Sequence, residues 1–302
     1  AAVGTILIVD LSNQWEVPIA QLPNELHERY IDDVEAEGEV AKLRSQAESG
    51  NAQAMYLFAL RHTSYAPPVL LIKLDKNEAF RWMKMSAERR HPRAMAVLGL
   101  YYLKGLGVEK NPQEASKWAK LAIDKGQPMG HRVLGEVMLG EAETIKPPKD
   151  AADERKLRAK YNDTLRKAYE HIRRGADQGD KGSLRLLGQG YENGAPDMPK
   201  NYRIALDFYA KAALKRDSES IRLLVDRYSV GDKVPLDRKL AYAWLMVLIE
   251  VDDKDEDRNQ LANLSESMQA EDVMLAQELG AQQIKSLTSE SADALSRLNA
   301  TR

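Results

Sequence analysis

Two short phrases of small and apolar residues alternate along the chain. The first reads AMYLFALRH from Ala54, AMAVLGLYY from Ala94, GHRVLGEVM from Gly130, SLRLLGQGY from Ser183 and SIRLLVDRY from Ser220. Each opens on a small residue and places Phe58, Leu98, Leu134, Leu187 or Leu224 four residues on. Ala59, Gly99, Gly135, Gly188 or Val225 comes next, and His62, Tyr102, Met138, Tyr191 or Tyr228 lies eight residues from the start. Offsets of 4, 5 and 8 fall on one helical face. The second phrase is AFRW, ASKW, AYEH, ALDF and AYAW. It starts at Ala79, Ala115, Ala168, Ala205 and Ala241, at intervals of 36, 53, 37 and 36, and ends on Trp82, Trp118, His171, Phe208 and Trp244. The pattern predicts five pairs of short amphipathic helices, a helix A followed by a helix B.

One such pair cannot bury its apolar face alone, so stacking must supply the core. A small residue on helix A lets helix B approach, and the ring on helix B fills the groove between neighbouring pairs. The distance from the first phrase to the second is 21 or 22 residues in units two, four and five, 25 in unit one and 38 in unit three. Unit three therefore carries about 17 extra residues, within ETIKPPKDAADERKLRAKYND. Pro147 and Pro148 break the chain there, and the charged run from 151 to 161 extends helix B backwards. Unit one has a smaller insertion, TSYAPPVLLIKLD. Long insertions in arrays map to loops, some of them functional.

The pattern A-x-x-x-L-G-x-x-Y-x-x-G-x-G-V followed by A-x-x-W resembles the Sel-one-like repeat, a relative of the tetratricopeptide repeat. Residues 94 to 129 carry it best, through Ala94, Leu98, Gly99, Tyr102, Gly105, Gly107, Val108, Ala115, Trp118, Ala122 and Gly126. The resemblance covers about residues 45 to 290. It implies an all-α fold, an α-α superhelix: a right-handed solenoid of about five helix-turn-helix repeats with an N-terminal helical segment and C-terminal capping helices. The expected division is 1–44, apolar segment and lead-in helix; 45–251, repeat array with insertions near 63–75 and 141–162; and 252–302, capping helices and tail.

GLGVEKNPQEASKW, residues 105 to 118, holds a G-x-G ahead of a helix and so admits a phosphate cradle. Its counterparts in later units, ENGAPDMPKNYRIALDF and SVGDKVPLDRKLAYAW, keep one glycine and the Ala-to-aromatic phrase but lose G-x-G. A cradle needs its glycines once, between a strand and a helix. The stretch reads instead as a turn, with Gly105 the left-handed stop of helix A, Asn111 the N-cap of helix B and Pro112 its first residue.

The 302 residues are 43% hydrophobic and 30% charged with a net charge of -2, so no basic field points to nucleic acid. There is no cysteine, which removes disulfides, thiolate metal sites and a cysteine nucleophile. The five histidines, His27, His62, His91, His131 and His171, form no metal spacing, and His62 and His171 hold positions that other units fill with aromatics. DDKDED at 252 to 257 hints at a calcium loop, but Arg258 and Leu264 stand where Gly and Glu are needed, so it reads as a solvated linker. No catalytic, cofactor or metal residue is nominated. The apolar run AAVGTILIV is too short for a spanning helix. It reads as the tail of a signal or anchor segment, or as a segment packed on the first helices.

In the related tetratricopeptide repeat, two positions of helix A face the concave groove. Carried over by that resemblance, the partner-binding positions are Tyr56, Leu60, Leu100, Leu103, Arg132, Glu136, Arg185, Gln189, Arg222 and Asp226. The arginines with their acids or amides four residues on form a polar ladder, or merely pair within one helix. Arginine favours carboxylates, so an acidic or C-terminal peptide segment is the natural partner. The resemblance implies a non-enzymatic protein-interaction scaffold in a bacterial assembly for secretion, polysaccharide export or motility. That assembly is expected in the periplasm or tethered to the envelope membrane. Alternatives are a cytoplasmic regulatory adaptor and, less favoured, a cell-wall or sugar-binding enzyme. No nucleic acid is expected, and membrane attachment only through an anchor preceding Ala1.

Overall fold

The computed structural model describes residues 5–10, 13–18, 38, 40–62, 75–145, 154–231, 233–252 and 254–300. It opens on an antiparallel hairpin of β1 (Thr5–Asp10) and β2 (Asn13–Pro18), registered from Thr5 opposite Pro18 to Asp10 opposite Asn13. The apolar segment expected ahead of the lead-in helix thus contributes a strand, β1. Thr5, Ile6, Ile8 and Val9 are β-branched and stiff at χ1, which favours the pleated strand over a helix turn. A lead-in helix, α1, follows over 40–48.

The all-α reading holds for the array. The pairs are α2 (Ala52–Arg61) with α3 (Lys76–Glu88), α4 (Pro92–Lys104) with α5 (Pro112–Asp124), α6 (Pro128–Ile145) with α7 (Glu154–Asp177), α8 (Lys181–Asn193) with α9 (Tyr202–Leu214), and α10 (Ser218–Val230) with α11 (Arg238–Asp252). Two closing helices follow, α12 (Asp255–Glu266) and α13 (Ala270–Ala300). The chain divides into two compact units, Ala1–Ala94 with Gly105–Glu109, and Met95–Lys104 with Lys110–Arg302. In the second unit, from α5 to α11, each helix packs on the next, and α13 closes on α11.

Most of the unit-three insertion is helix. α6 runs to 18 residues and α7 to 24, where α4, α5, α8, α9 and α10 have 13 each. Helix B is extended backwards as expected; helix A is lengthened as well. Residues 63–74 of the unit-one insertion and 146–153 of the unit-three insertion lie outside the described residues.

Two kinds of turn punctuate the array. After helix A the chain turns through a left-handed glycine: Gly105, Gly194 and Gly231 have φ of 74°, 78° and 73°. Gly105 is thus the stop expected of it. The second glycine of the G-x-G has its own reason, because a Cβ on Gly107 would collide with the Lys76 carbonyl at the start of α3. Asn111 caps α5 by accepting from the Glu114 N–H at 3.0 Å, with Pro112 at the first turn. After helix B the turn is tighter. One left-handed residue, Gly50, Arg90, Gly126, Gly179 or Arg216, leads directly to the start of the next helix A. The following N–H bonds back to a carbonyl five residues earlier, as Asp180 does to Gly175 and Asp217 to Ala212.

The core is built on close helix approach. A Cβ on Gly135 would lie 2.6 Å from Ile172 Cγ1 and 3.0 Å from the Ala168 carbonyl oxygen. On Gly188 it would invade the Tyr209 ring and meet the Ala205 carbonyl at 3.0 Å, and on Gly99 it would meet the Ala115 carbonyl at 3.2 Å. In units two to four, therefore, a glycine on helix A faces the alanine that opens the helix B phrase. The residue after the ring, Met83, Ala119, Ile172, Tyr209 or Leu245, is fully buried in all five units. The ring itself packs within its own pair: Trp82 is edge-on to Phe58 at 5.3 Å, and Phe208 stacks on Tyr191 at 5.7 Å. α13 repeats the device, with Gly280 against Met246 and the Ala243 carbonyl.

Gly188→Ala should cost about 1–3 kcal/mol by overpacking against Tyr209. Gly140→Ala, where a Cβ meets nothing within 4 Å, should be neutral or stabilise by up to about 1 kcal/mol through helix propensity. Urea unfolding of both variants checks the contrast; equal effects would contradict the close-approach account.

Candidate functional site

The arginine ladder exists, and it is turned inward. Each rung joins helix A of one repeat to the first residues of the next. Arg132 on α6 lies 3.1 Å from Asp180, the N-cap of α8. Arg185 on α8 lies 3.3 Å from Asp217, the N-cap of α10, and 2.9 Å from Glu219. Arg222 on α10 reaches Asp257 at 2.7 and 3.0 Å and Asp252 at 3.0 Å. The same carboxylates cap their helices: Asp180 accepts from the Ser183 N–H at 2.7 Å, and Asp217 from the Ser220 N–H at 2.9 Å. In unit one an aromatic stack replaces the ion pair, Tyr56 on His91 at 4.9 Å, and His91 Nδ1 accepts from the Ala94 N–H. Gly182 makes room for the first rung, since a Cβ there would sit 2.6 Å from Arg132 Nε.

The side chains of Arg132 and Arg185 are only 13% and 16% exposed, while Arg222 keeps 36%. Of the three within-helix pairings expected four residues on, only Arg132–Glu136 forms among the described residues, at 3.0 Å. Glu136 also holds Lys104 at 2.7 Å. The acids at 252 and 257 are correspondingly not a solvated linker. Asp257 is 2% exposed, and it is Arg222 that makes such burial tolerable.

Two further polar clusters are buried. Glu192, near the end of α8, accepts from Tyr209 Oη at 2.7 Å, Arg227 at 2.7 and 3.1 Å and Lys233 at 2.9 Å. Burial pushes its carboxyl up, but the hydrogen bonds from Lys233 and Tyr209 and the Arg227 charge win and hold it below the usual range. Across α6 and α7, His131 and His171 meet Nδ1 to Nδ1 at 3.1 Å. Burial first, then the partner ring and Arg174 for His131, and Arg174 for His171, hold both imidazoles below the ordinary histidine value. The ring nitrogens face one another as donor and acceptor. Among the described residues no cluster of three or more His, Cys, Asp or Glu is placed to hold a metal. His62 is edge-on to Phe58 at 4.9 Å, a packing role.

The lengthened pair α6–α7 stands beside the shorter α8, and between them opens a groove of about 900 Å³. Leu139, Tyr161, Leu165, Tyr169 and Leu186 supply its apolar wall. The Tyr169 ring lies against α8 because Gly190 has no side chain; a Cβ there would fall 2.7 Å from Tyr169 Cε1. Asn162, Gln189 and Asn193 supply carboxamides. Arg166 Nε donates to Asp197 Oδ2 at 2.9 Å, tying α7 to the loop after α8.

Of the ten residues expected to face a partner, only Gln189 lines this groove. Arg132, Glu136, Arg185 and Arg222 are held by the chain's own charges. Leu100 and Leu103 pack against the cluster of Ala115, Ala119, Val133, Leu134 and Val137. Tyr56 stacks on His91, Leu60 is half-buried, and Asp226 is exposed. Sequence reasoning missed Leu139, Asn162 and Asn193. Their signal was the 38-residue spacing of unit three, combined with one further turn along the groove-facing stripe of helix A.

Paired helices that recur along the chain and, from α5 to α11, lean one on the next define an α-helical repeat array, a class that works through its surfaces. The Sel1 repeat family matches the chain at residues 69–91, 92–127, 162–180, 183–217 and 226–245, so the chain carries five Sel1 repeats. Sel1 repeats are generally protein-interaction scaffolds rather than catalysts. Solved structures are similar to this chain. A Sel1 repeat protein from Oxalobacter formigenes is 22% identical, with 74% of this chain and 59% of that one covered and a TM-score of 0.46. The protective antigen c5321 of uropathogenic Escherichia coli, which displays an SLR fold, is 20% identical over 86% of this chain and 58% of that one, at 0.38. Immunity protein Pa5087 from Pseudomonas aeruginosa is 20% identical over 68% and 83%, at 0.39. The chain thus spans under three fifths of the first two structures. No curated protein matches it. Among the described residues no helix is long and apolar enough to cross a membrane.

Arg222→Ala should cost about 3 kcal/mol, because it strands the buried Asp257. Adding Asp257→Ala should recover part of that loss. A double-mutant cycle by urea unfolding measures it, and strict additivity would remove the clasp. The histidine pair sets a pH dependence. With both folded pKa values lowered, the unfolded chain binds more protons below about pH 6.5. Stability is therefore whole above that pH and falls as pH drops through the window towards the lowered values. His131→Gln should flatten the fall in thermal midpoint between about pH 7 and pH 5 relative to the parent. Parallel curves would exclude the pair as its cause.

Proposed function

We propose that this protein is a non-enzymatic scaffold that holds a partner protein through the groove between α6–α7 and α8. One observation carries the reading. The arginines of the helix A face are consumed by the clasps that join repeats, whereas the groove is the place where one pair outgrows its neighbours and leaves polar and aromatic side chains lining a concavity. Concave sites of about 300–1,000 Å³ with a few convergent polar groups are where proteins hold ligands. The wider part of the proposal places the assembly in the bacterial cell envelope, of the secretion, polysaccharide-export or motility kind. What supports it is the resemblance to envelope scaffolds, and a cytoplasmic regulatory adaptor is the alternative.

Gly140 gives a clean test, because it lines the groove and a Cβ there meets nothing within 4 Å. Gly140→Trp should fill the groove, leave the thermal midpoint within about 2 °C of the parent, and abolish co-purification of the native partner. Lys117→Trp, on the exposed side of α5, should leave capture intact. Capture that survives Gly140→Trp places the working surface elsewhere. Fractionation of the native host tests the envelope placement.

A further inference from the structure

The walls of the groove say what kind of segment fits, and this step rests on the partner-binding reading above. The charged groups are satisfied from within. Arg166 and Asp197 close on each other at 2.9 Å, and Glu143 at the rim already has a polar or electrostatic contact of its own. The arginines that would welcome an acidic peptide are spent: Arg132 on Asp180, Arg185 on Asp217 and Glu219, Arg222 on Asp252 and Asp257. An acidic segment would have to break a clasp, and at Arg132 and Arg185 the carboxylate in that clasp also caps the next helix.

The carboxamides are different. Asn162 on α7 and Gln189 and Asn193 on α8 line the groove, and among the described residues none of the three carboxamides makes a hydrogen bond. A carboxamide both donates and accepts, the complement of a main-chain N–H and C=O. A helix satisfies its own main chain and would leave such groups unmatched as the groove dries, at a cost. An extended segment presents its main chain outward and pairs with them. Between the carboxamides the wall is apolar, with the rings of Tyr161 and Tyr169 beside Leu139, Leu165 and Leu186, so side chains that gain by burial there are apolar or prolyl.

We infer that the groove takes an extended, uncharged stretch of a partner polypeptide, gripped through its main chain by Asn162, Gln189 and Asn193 and through apolar or prolyl side chains by the two tyrosines. The acidic peptide suggested by the arginine spacing is thereby replaced by a neutral one.

The test pans a phage-displayed library of random dodecapeptides on the intact chain, then titrates the selected peptides by fluorescence anisotropy. The expected consensus lacks charge and is rich in apolar residues and proline. Its Kd should change less than about threefold between about 50 and 500 mM salt, because no exposed ion pair is made. Gln189→Ala with Asn193→Ala should weaken binding about tenfold or more at an unchanged thermal midpoint. Gly140→Trp should abolish it. An acidic consensus whose affinity collapses with salt and depends on Arg185 or Arg222 overturns the neutral occupant and leaves the scaffold function standing. So does a selected peptide that is helical when bound, by circular dichroism. A library that yields no binder blocked by Gly140→Trp, while native capture remains blocked by that variant, also overturns the inference: the groove then takes a folded surface. If native capture ignores Gly140→Trp, the partner-binding reading itself fails.

Discussion

Helix A and helix B approach until backbone meets backbone, and the rest of the array follows from that. At Gly135 and Gly188 a methyl would collide with Ile172 and Tyr209 and press on the carbonyl oxygens of Ala168 and Ala205, and at Gly99 it would fit only if the Ala115 carbonyl and Val133 gave way. Such proximity aligns the next turn of helix B, so that Ala119, Ile172 and Tyr209 are shut off from water. It also limits what one pair can bury, because two helices this close share a narrow seam. The remaining apolar area must be covered by the next pair, and the closing helix α13 meets the same demand with Gly280 against Ala243. A glycine in a helix costs roughly 1 kcal/mol in propensity, and the seam returns more than that only because it recurs along the stack.

The seams fix each pair internally; the arginine clasps fix one pair against the next. Asp180 and Asp217 each serve twice, holding the first N–H groups of a helix and a guanidinium from the preceding repeat. A carboxylate at a helix N-terminus is favoured by the dipole as well. The ion pairs are too desolvated to add much net stability. Their effect is on register, since a slip of one residue would strand both charges and uncap the helix. Unit one reaches the same geometry with Tyr56 and His91, so the position matters more than the chemistry that fills it.

This division explains which features were legible in the sequence. The helix pairs, Gly105 as a stop and Asn111–Pro112 as a start all follow from local rules that act within a few residues, and local rules can be read from one chain. The recurrence of Arg132, Arg185 and Arg222 was visible too, but the partners that join repeats lie thirty or more residues away, and helical spacing offered only the residue four along. Arg90 and Arg216 hold left-handed positions that glycine fills in other units, so composition gave no hint of those turns. The N-terminal hairpin was hidden by brevity: a short apolar run has no period that separates strand from helix. The groove was legible only through the 38-residue spacing of unit three. No residue in it is unusual; only the length of the elements around it is.

That length is tolerated because of where it was added. Extra residues between helix A and helix B leave the seam alone: Gly135 still faces Ile172, and Arg132 still reaches Asp180. The same residues placed between helix B and the next helix A would separate a left-handed turn from the N-cap that follows it immediately, and with it the clasp that capping residue completes. Both insertions in this chain, near 63–75 and 141–162, fall between A and B. In unit three the result is a pair that projects past Asn193, where α8 ends, with Arg166 tied to Asp197 in the loop below. The concavity is therefore a consequence of adding length away from the N-cap clasps, and the array acquires a groove without altering the seams and clasps that hold it together.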